Sequence, residues 1–281
     1  MTLDLELSAG DTKRPAIIFI HGLGMDKNFW VSPCEARIGG GLFPLSLLMR
    51  GKPEEIRLQR IPFRLDGLTA GIPLPWVITP YHELKEEGYT VITWSQRRPV
   101  GPITDSINEL RRVVDFAVSI TKRVILIGHS RGGLIARKYI EIYGSNVIAG
   151  LITIATPHKG STLAEWVRYI SSLSSILAPI FGHLPERRVT KAIKRITDFL
   201  KSEAIKELHP ESSLIKSLKP PEGVRCYSIA GTDPHLFSLY RWNIRREGDY
   251  FVIRPEEVFS FPESLVHLMP EKIVPPEWQP D

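Results

Sequence analysis

Gly128-His129-Ser130-Arg131-Gly132 stands between the apolar run Val124-Ile125-Leu126-Ile127 and the helical spacing of Gly133 to Tyr143. Small residues around a serine at such a junction dictate a tight strand-to-helix turn. The backbone there is strained, and the hydroxyl is pushed into the open. The same alternation runs along the chain. Ala16-Ile17-Ile18-Phe19-Ile20, Tyr89 to Trp94, Leu151 to Ala155 and Arg225 to Ala230 read as strands. Continuous apolar runs of this kind suit strands buried on both faces. Between them, Tyr81 to Glu87 reads as a helix stopped by Gly88. Residues 105–120 carry Ile107, Leu110, Val113, Val114 and Val118 at helical spacing, with Asp105 or Ser106 as N-cap. Strands alternating with helices predict an α/β fold with a mostly parallel central sheet and helices on both faces.

Two stretches break the alternation. Residues 31–80 hold Gly39-Gly40-Gly41 and Pro62, Pro73, Pro75 and Pro80, and read as an insertion. Residues 161–222 read as a helical cap, so the core is expected from 1–160 and 223–281. Within the cap, Trp166, Ile170, Leu173, Ile176, Leu177 and Ile180 fall near helical spacing. Such a stripe suits the core of the cap, an apolar acyl pocket, or a lid that meets a lipid interface transiently. Arg187, Arg188, Lys191, Lys194 and Arg195 read as a solvated helix face.

Composition excludes several classes. At 281 residues, 43% hydrophobic and 24% charged, the chain is neither disordered nor a disulfide scaffold. A net charge of +5 over 36 basic and 31 acidic residues is mild and dispersed, against a nucleic-acid partner. Cys226 reads as a buried thiol, with nothing to suggest a bridge to Cys34. The first residues lack a basic segment and an apolar stretch, so a cytoplasmic location is expected, secretion with a removed leader staying open. Seven Asn and Gln against 23 Pro hint at a thermophilic origin. Oligomeric state is not written in the sequence.

A serine needs a base, and the base needs an orienting carboxylate. His267 is the only histidine after His235 and is the expected base. His235, beside Asp233, is the rival. Asp249, in Gly248-Asp249-Tyr250, is the first candidate acid and Asp233 the second. The bland reading of Asp249 is a turn aspartate. Acyl transfer also needs two backbone N–H donors for an oxyanion. Arg131, after the serine, supplies one. Leu23, in the His21-Gly22-Leu23-Gly24 turn after the first buried strand, supplies the other. His21 is expected to brace this loop.

Phe19-Ile20-His21-Gly22-Leu23-Gly24, Gly128-His129-Ser130-Arg131-Gly132-Gly133 and Ile154-Ala155-Thr156-Pro157-His158-Lys159-Gly160-Ser161 resemble, in order, three motifs of the α/β-hydrolase family, and within it of bacterial lipases and esterases. The resemblance covers roughly residues 15–30, 89–162 and 224–270. It implies the α/β-hydrolase fold with a helical cap or lid, and ester hydrolysis through Ser130, Asp249 and His267. In the family a G-D-G-hydrophobic-V segment bears the acid, and here Tyr250 stands at the third position. Some such lipases bind structural calcium or zinc, but His82, His158, His183 and His209 lack ligand spacing, so neither metal nor cofactor is expected. His158 is expected to shape its loop. The substrate expected is a small-molecule or lipid ester. An acyltransferase using the same residues, or a non-catalytic hydrolase-like binding protein, is the alternative.

Overall fold

The computed structural model describes residues 2–39, 43–44, 50–51, 56–58, 68–69, 72–73, 78–161, 198–199, 201–231 and 237–261. The chain divides into two compact units, residues 1–45 with 77–231 and residues 46–76 with 232–281.

Among the described residues the main sheet of the first unit has six strands: β1 (Asp4–Ser8), β2 (Ala16–Ile20), β3 (Val91–Ser95), β4 (Val124–His129), β5 (Ile148–Ile154) and β6 (Cys226–Ile229). Their order is β1-β3-β2-β4-β5-β6. Only β1 runs antiparallel to its neighbour. With its helices, this is the α/β arrangement around a mostly parallel central sheet that the alternation of strands and helices led us to expect.

The all-apolar β2 shows why a continuous run makes a central strand. Ala16, Ile18 and Ile20 join one core cluster with Leu110, Leu134 and Ile135. Ile17 and Phe19 join another with Trp30 and Tyr81. Alternate side chains point to opposite faces, so a strand covered on both has no polar position left. The first cluster rests on α3 (Ile103–Ile120) and α4 (Arg131–Tyr143). The second rests on α1 (Asn28–Val31) and α2 (Pro80–Glu86).

Helix ends follow the expected stops. Gly88 and Gly144 lie just past α2 and α4 with φ +81°, a conformation that glycine adopts without strain. The start of α3 differs from expectation. It begins at Ile103 after Pro102, not at Asp105 or Ser106. The Glu207 carboxylate accepts the Ile103 N–H at 2.9 and 3.1 Å. A distant carboxylate therefore does the capping, which local spacing could not reveal. Ser106 is buried instead, donating to Gln96 Oε1 at 2.8 Å.

Cys226 also departs from expectation. It and Cys34 are free thiols, and Cys226 is exposed rather than buried. The reason is position: among the described residues β6 is the last strand of its sheet, and Tyr227 and Ile229 beside it are exposed too.

Residues 162–197 and 200 lie outside the described residues, and with them the apolar stripe and the basic helix face of the expected cap. The C-terminal part of the expected cap, 161–222, forms α5 (Glu203–Glu207) and α6 (Ser213–Ser217). Leu208 and Leu214 pack into the same cluster as Ile18 and Leu134.

The second unit holds a long hairpin, β7 (Phe237–Glu247) and β8 (Tyr250–Phe261), flanked by residues 56–58 and 68–69. Among the described residues no helix is long and apolar enough to cross a membrane.

Candidate active site

Ser130 joins β4 to α4 with φ +52° and ψ −124°, outside the regions open to ordinary residues. Its N–H donates to Ile154 O at 2.8 Å, tying the turn to β5. The glycines around it show why the turn needs small residues. A Cβ on Gly128 would lie 2.5 Å from Gly133 N. One on Gly132 would strike the Ile20 carbonyl oxygen and come within 2.8 Å of His21 O. One on Gly133 would collide with the Thr156 side chain. The end of β2, the start of α4 and the Thr156 loop thus meet with no space for side chains between them.

The His21–Gly24 loop lies over this turn. A Cβ on Gly22 would sit 3.1 Å from Ser130 Cβ and 3.0 Å from His129 Nδ1. Gly24 N–H donates to Pro99 O at 3.0 Å, and Met25 N–H to Gly22 O at 3.4 Å. Leu23 packs against the main core cluster and fixes the loop from beneath. Arg131 is the first residue of α4, where an N–H has no partner within the helix. Gly22 and Ser130 are therefore close neighbours, with Leu23 and Arg131 next to them along the chain.

His21 braces the loop. Its Nε2 accepts the Gln96 backbone N–H at 3.0 Å, so the ring proton sits on Nδ1 and is donated to Gly22 O at 3.1 Å. The Gln96 side chain donates to His21 O at 3.2 Å. Burial pushes His21 down to about 4, against a smaller opposing pull from the bond to Gly22. Burial also pushes His129 down to about 4; its ring stacks on Phe29 with centroids 4.4 Å apart. Both rings are neutral at pH 7, which suits them to holding the site rather than exchanging protons.

A stability consequence follows. Folded pKa values below the unfolded value mean that the unfolded chain binds protons first. The contribution is whole above about 6.5 and is lost as pH falls towards about 4. At pH 5 each histidine costs about 2 kcal/mol relative to neutral pH. Urea unfolding at pH 7 and pH 5 measures this, and His129→Phe is expected to flatten the drop. An unchanged midpoint would contradict it.

His158 shapes its loop. Arg137 Nη1 donates to Nδ1 at 2.9 Å, leaving the proton on Nε2, which faces Thr153 Oγ1 at 3.0 Å and Ser228 Oγ at 3.2 Å. The ring thereby ties α4, β5 and β6 together. Burial, then Arg137, lowers its pKa.

Asp249 lies in the second unit, as the second turn residue between Glu247 and Tyr250. Gly248 before it has φ +61°, the glycine-first pattern of a two-residue hairpin. His267, Asp233 and His235 lie outside the described residues. Among the described residues no group of three His, Cys, Asp or Glu side chains is placed to hold a metal ion.

The sequence reading missed two partnerships near the serine: Gln96 with His21, and Glu207 with Arg131. They span 75 and 76 positions, and no periodicity signals contacts of that kind.

The model of the palmitoyl protein thioesterase family matches residues 86–196. A triacylglycerol lipase of Pseudarthrobacter phenanthrenivorans is 46% identical over 53 residues, 19% of this chain and 16% of that protein. One of Burkholderia plantarii is also 46% identical over 53 residues, 19% of this chain and 14% of that protein. The matched stretch thus spans less than a fifth of these relatives. Among solved structures, the mature Bacillus licheniformis lipase BlEst2 aligns with TM-score 0.46 and 16% identity, over 82% of this chain and 72% of that one. An esterase from Exiguobacterium antarcticum aligns with TM-score 0.42 and 15% identity, over 80% and 75%. Over part of its length, then, the chain is similar to the palmitoyl protein thioesterase family and to triacylglycerol lipases.

Proposed function

We propose that the chain is a serine carboxylic-ester hydrolase, an esterase or lipase that works through an acyl-enzyme. The observation that carries this reading is the backbone of Ser130. A non-glycine residue at φ +52° is costly, and here it sits between a buried strand and a helix N-terminus, beneath the Gly22 loop.

Ser130 Oγ attacks the ester carbonyl while His267 takes its proton. Asp249 holds the imidazole and stabilises its charged form, with Asp233 as the alternative acid. The Leu23 and Arg131 N–H groups hold the oxyanion, and the partial positive charge at the start of α4 favours it further. His267 then gives its proton to the leaving alcohol, and water releases the acyl group. Asp233 has one argument of its own: it follows β6 by four residues, and β6 runs parallel to β4 and β5. Strand ends of this kind are where open α/β sheets place their ligands.

The acyl group is proposed to be apolar and lipid-like, from the stripe Trp166 to Ile180, which would also supply contact with a lipid interface. The thioesterase-family match supports adding a palmitoyl thioester to the substrates tried. An acyltransferase would use the same residues with a different acceptor.

The test is hydrolysis of p-nitrophenyl esters from acetate to palmitate, and of a palmitoyl thioester, below and above about 45–65 °C, where mesophilic domains unfold. The expected result is hydrolysis that rises with acyl length and persists at the higher temperature. A folded chain inert towards every ester and thioester would sink the hydrolase reading. Asp249→Asn and Asp233→Asn, assayed side by side, identify the acid by the greater loss.

A further inference from the structure

The backbone N–H of Arg131 already has a role in the reaction proposed above; its side chain has none. That side chain is 1% exposed. Its Nη2 donates to Gly101 O at 2.6 Å and to Glu207 Oε2 at 3.2 Å. Among the described residues Nε and Nη1 have no hydrogen-bond partner. Burial pulls the guanidinium below its ordinary pKa, and Glu207 opposes the pull. A buried charge with two of three nitrogens unpaired is poor design for stability, because an apolar side chain of that volume fills such a place at no loss.

Glu207 has other duties. Its carboxylate accepts the Ile103 N–H and so fixes the start of α3. It lies in α5, inside the 161–222 span expected to form the cap. Ser161 N–H donates to Leu208 O at 2.7 Å, joining the start of that span to the residue after α5. Ala204 N–H donates to Val100 O at 3.3 Å, holding α5 to the loop before α3. The Arg131–Glu207 pair therefore joins the first residue after Ser130 to α5 and the bonds that anchor it.

We propose that the Arg131–Glu207 ion pair positions the oxyanion donor, holding the first turn of α4 in register with α5 and the start of α3. The proposal rests on Ser130 being the nucleophile. The guanidinium acts through the peptide that carries its own N–H, and a donor misplaced by about 1 Å costs on the order of a hundredfold in rate.

The variants are Arg131→Met, Glu207→Gln and Arg131→Lys. The readouts are kcat, KM, affinity for an alkyl boronic acid that mimics the tetrahedral state, and Tm. With either of the first two, kcat is expected to fall about 10- to 100-fold and boronate affinity to fall in parallel, while KM stays within about twofold. Arg131→Lys is expected to recover only part, because an ammonium lacks the planar fork. A lowered Tm with kcat and boronate affinity unchanged would mean a purely structural pair and overturn the proposal. Should Arg131→Met fail to fold, Glu207→Gln alone decides, since that carboxylate is 24% exposed and the amide keeps its shape. Labelling of the native chain by a fluorophosphonate separates the two levels. No labelling and no hydrolysis overturn the nucleophile reading and the pair's role together. Labelling with unaffected variants overturns the pair's role alone.

Discussion

Ser130→Ala is expected to lower kcat on p-nitrophenyl esters by about 10⁴- to 10⁶-fold, with fluorophosphonate labelling lost and the fold intact. Residual turnover would come from the oxyanion donors and the binding site, which the substitution does not touch. Stability separates this reading from a plain turn. The cost of φ +52° falls on alanine as it does on serine, so Ser130→Ala leaves Tm near the native value. Ser130→Gly removes the Cβ and with it the steric cost. It is expected to exceed Ser130→Ala by about 1 kcal/mol in urea unfolding while being equally inactive. A gain in stability at the price of all activity marks a residue held in strain for its chemistry. Hydrolysis surviving in Ser130→Ala would remove Ser130 from the mechanism.

The central sheet was legible because its strands need no polar face. Val124 to Ile127 and Ala16 to Ile20 are buried between helices, so an unbroken apolar run identified them without any periodicity. The strained turn was legible for a related reason. Its neighbours Gly128, Gly132 and Gly133 are required by contacts that admit no Cβ, and glycine is visible in the sequence. The residues that hold the site from behind were not legible. Glu207 caps α3 and pairs with Arg131 across 76 positions, and its place between Lys206 and Leu208 gives no sign of either duty. Cys226 was misjudged because a small apolar residue in a strand is buried only if another layer covers that strand, and among the described residues β6 ends its sheet. Asp249 shows the reverse limit. A Gly-Asp pair is good turn chemistry and a plausible acid site alike; the hairpin satisfies the first sense and is silent on the second.

Gly132→Ala is expected to damage stability and catalysis together. Its Cβ would meet the carbonyl oxygens of Ile20 and His21 and the Ile20 carbonyl carbon, all backbone at the end of the central strand. A flexible side chain could turn away, but β2 cannot, because its residues pack on both faces and Ile20 pairs in register with Gly128. The strain must therefore move α4 or the His21 loop. Those two carry the proposed donors, Arg131 and Leu23, so stability and catalysis should fail together. The expected loss is about 3 kcal/mol, at the upper end for overpacking, with kcat down about 100-fold in the protein that still folds. Gly88→Ala is the control. It carries φ +81°, as helix-ending glycines do, but a Cβ there meets nothing within 4 Å. It should cost only the backbone term, about 1 kcal/mol, and leave kcat unchanged. Equal damage from both would mean that the Gly132 contact relaxes freely. In that case the close approach of β2 to α4 would not be what holds the oxyanion donors in place.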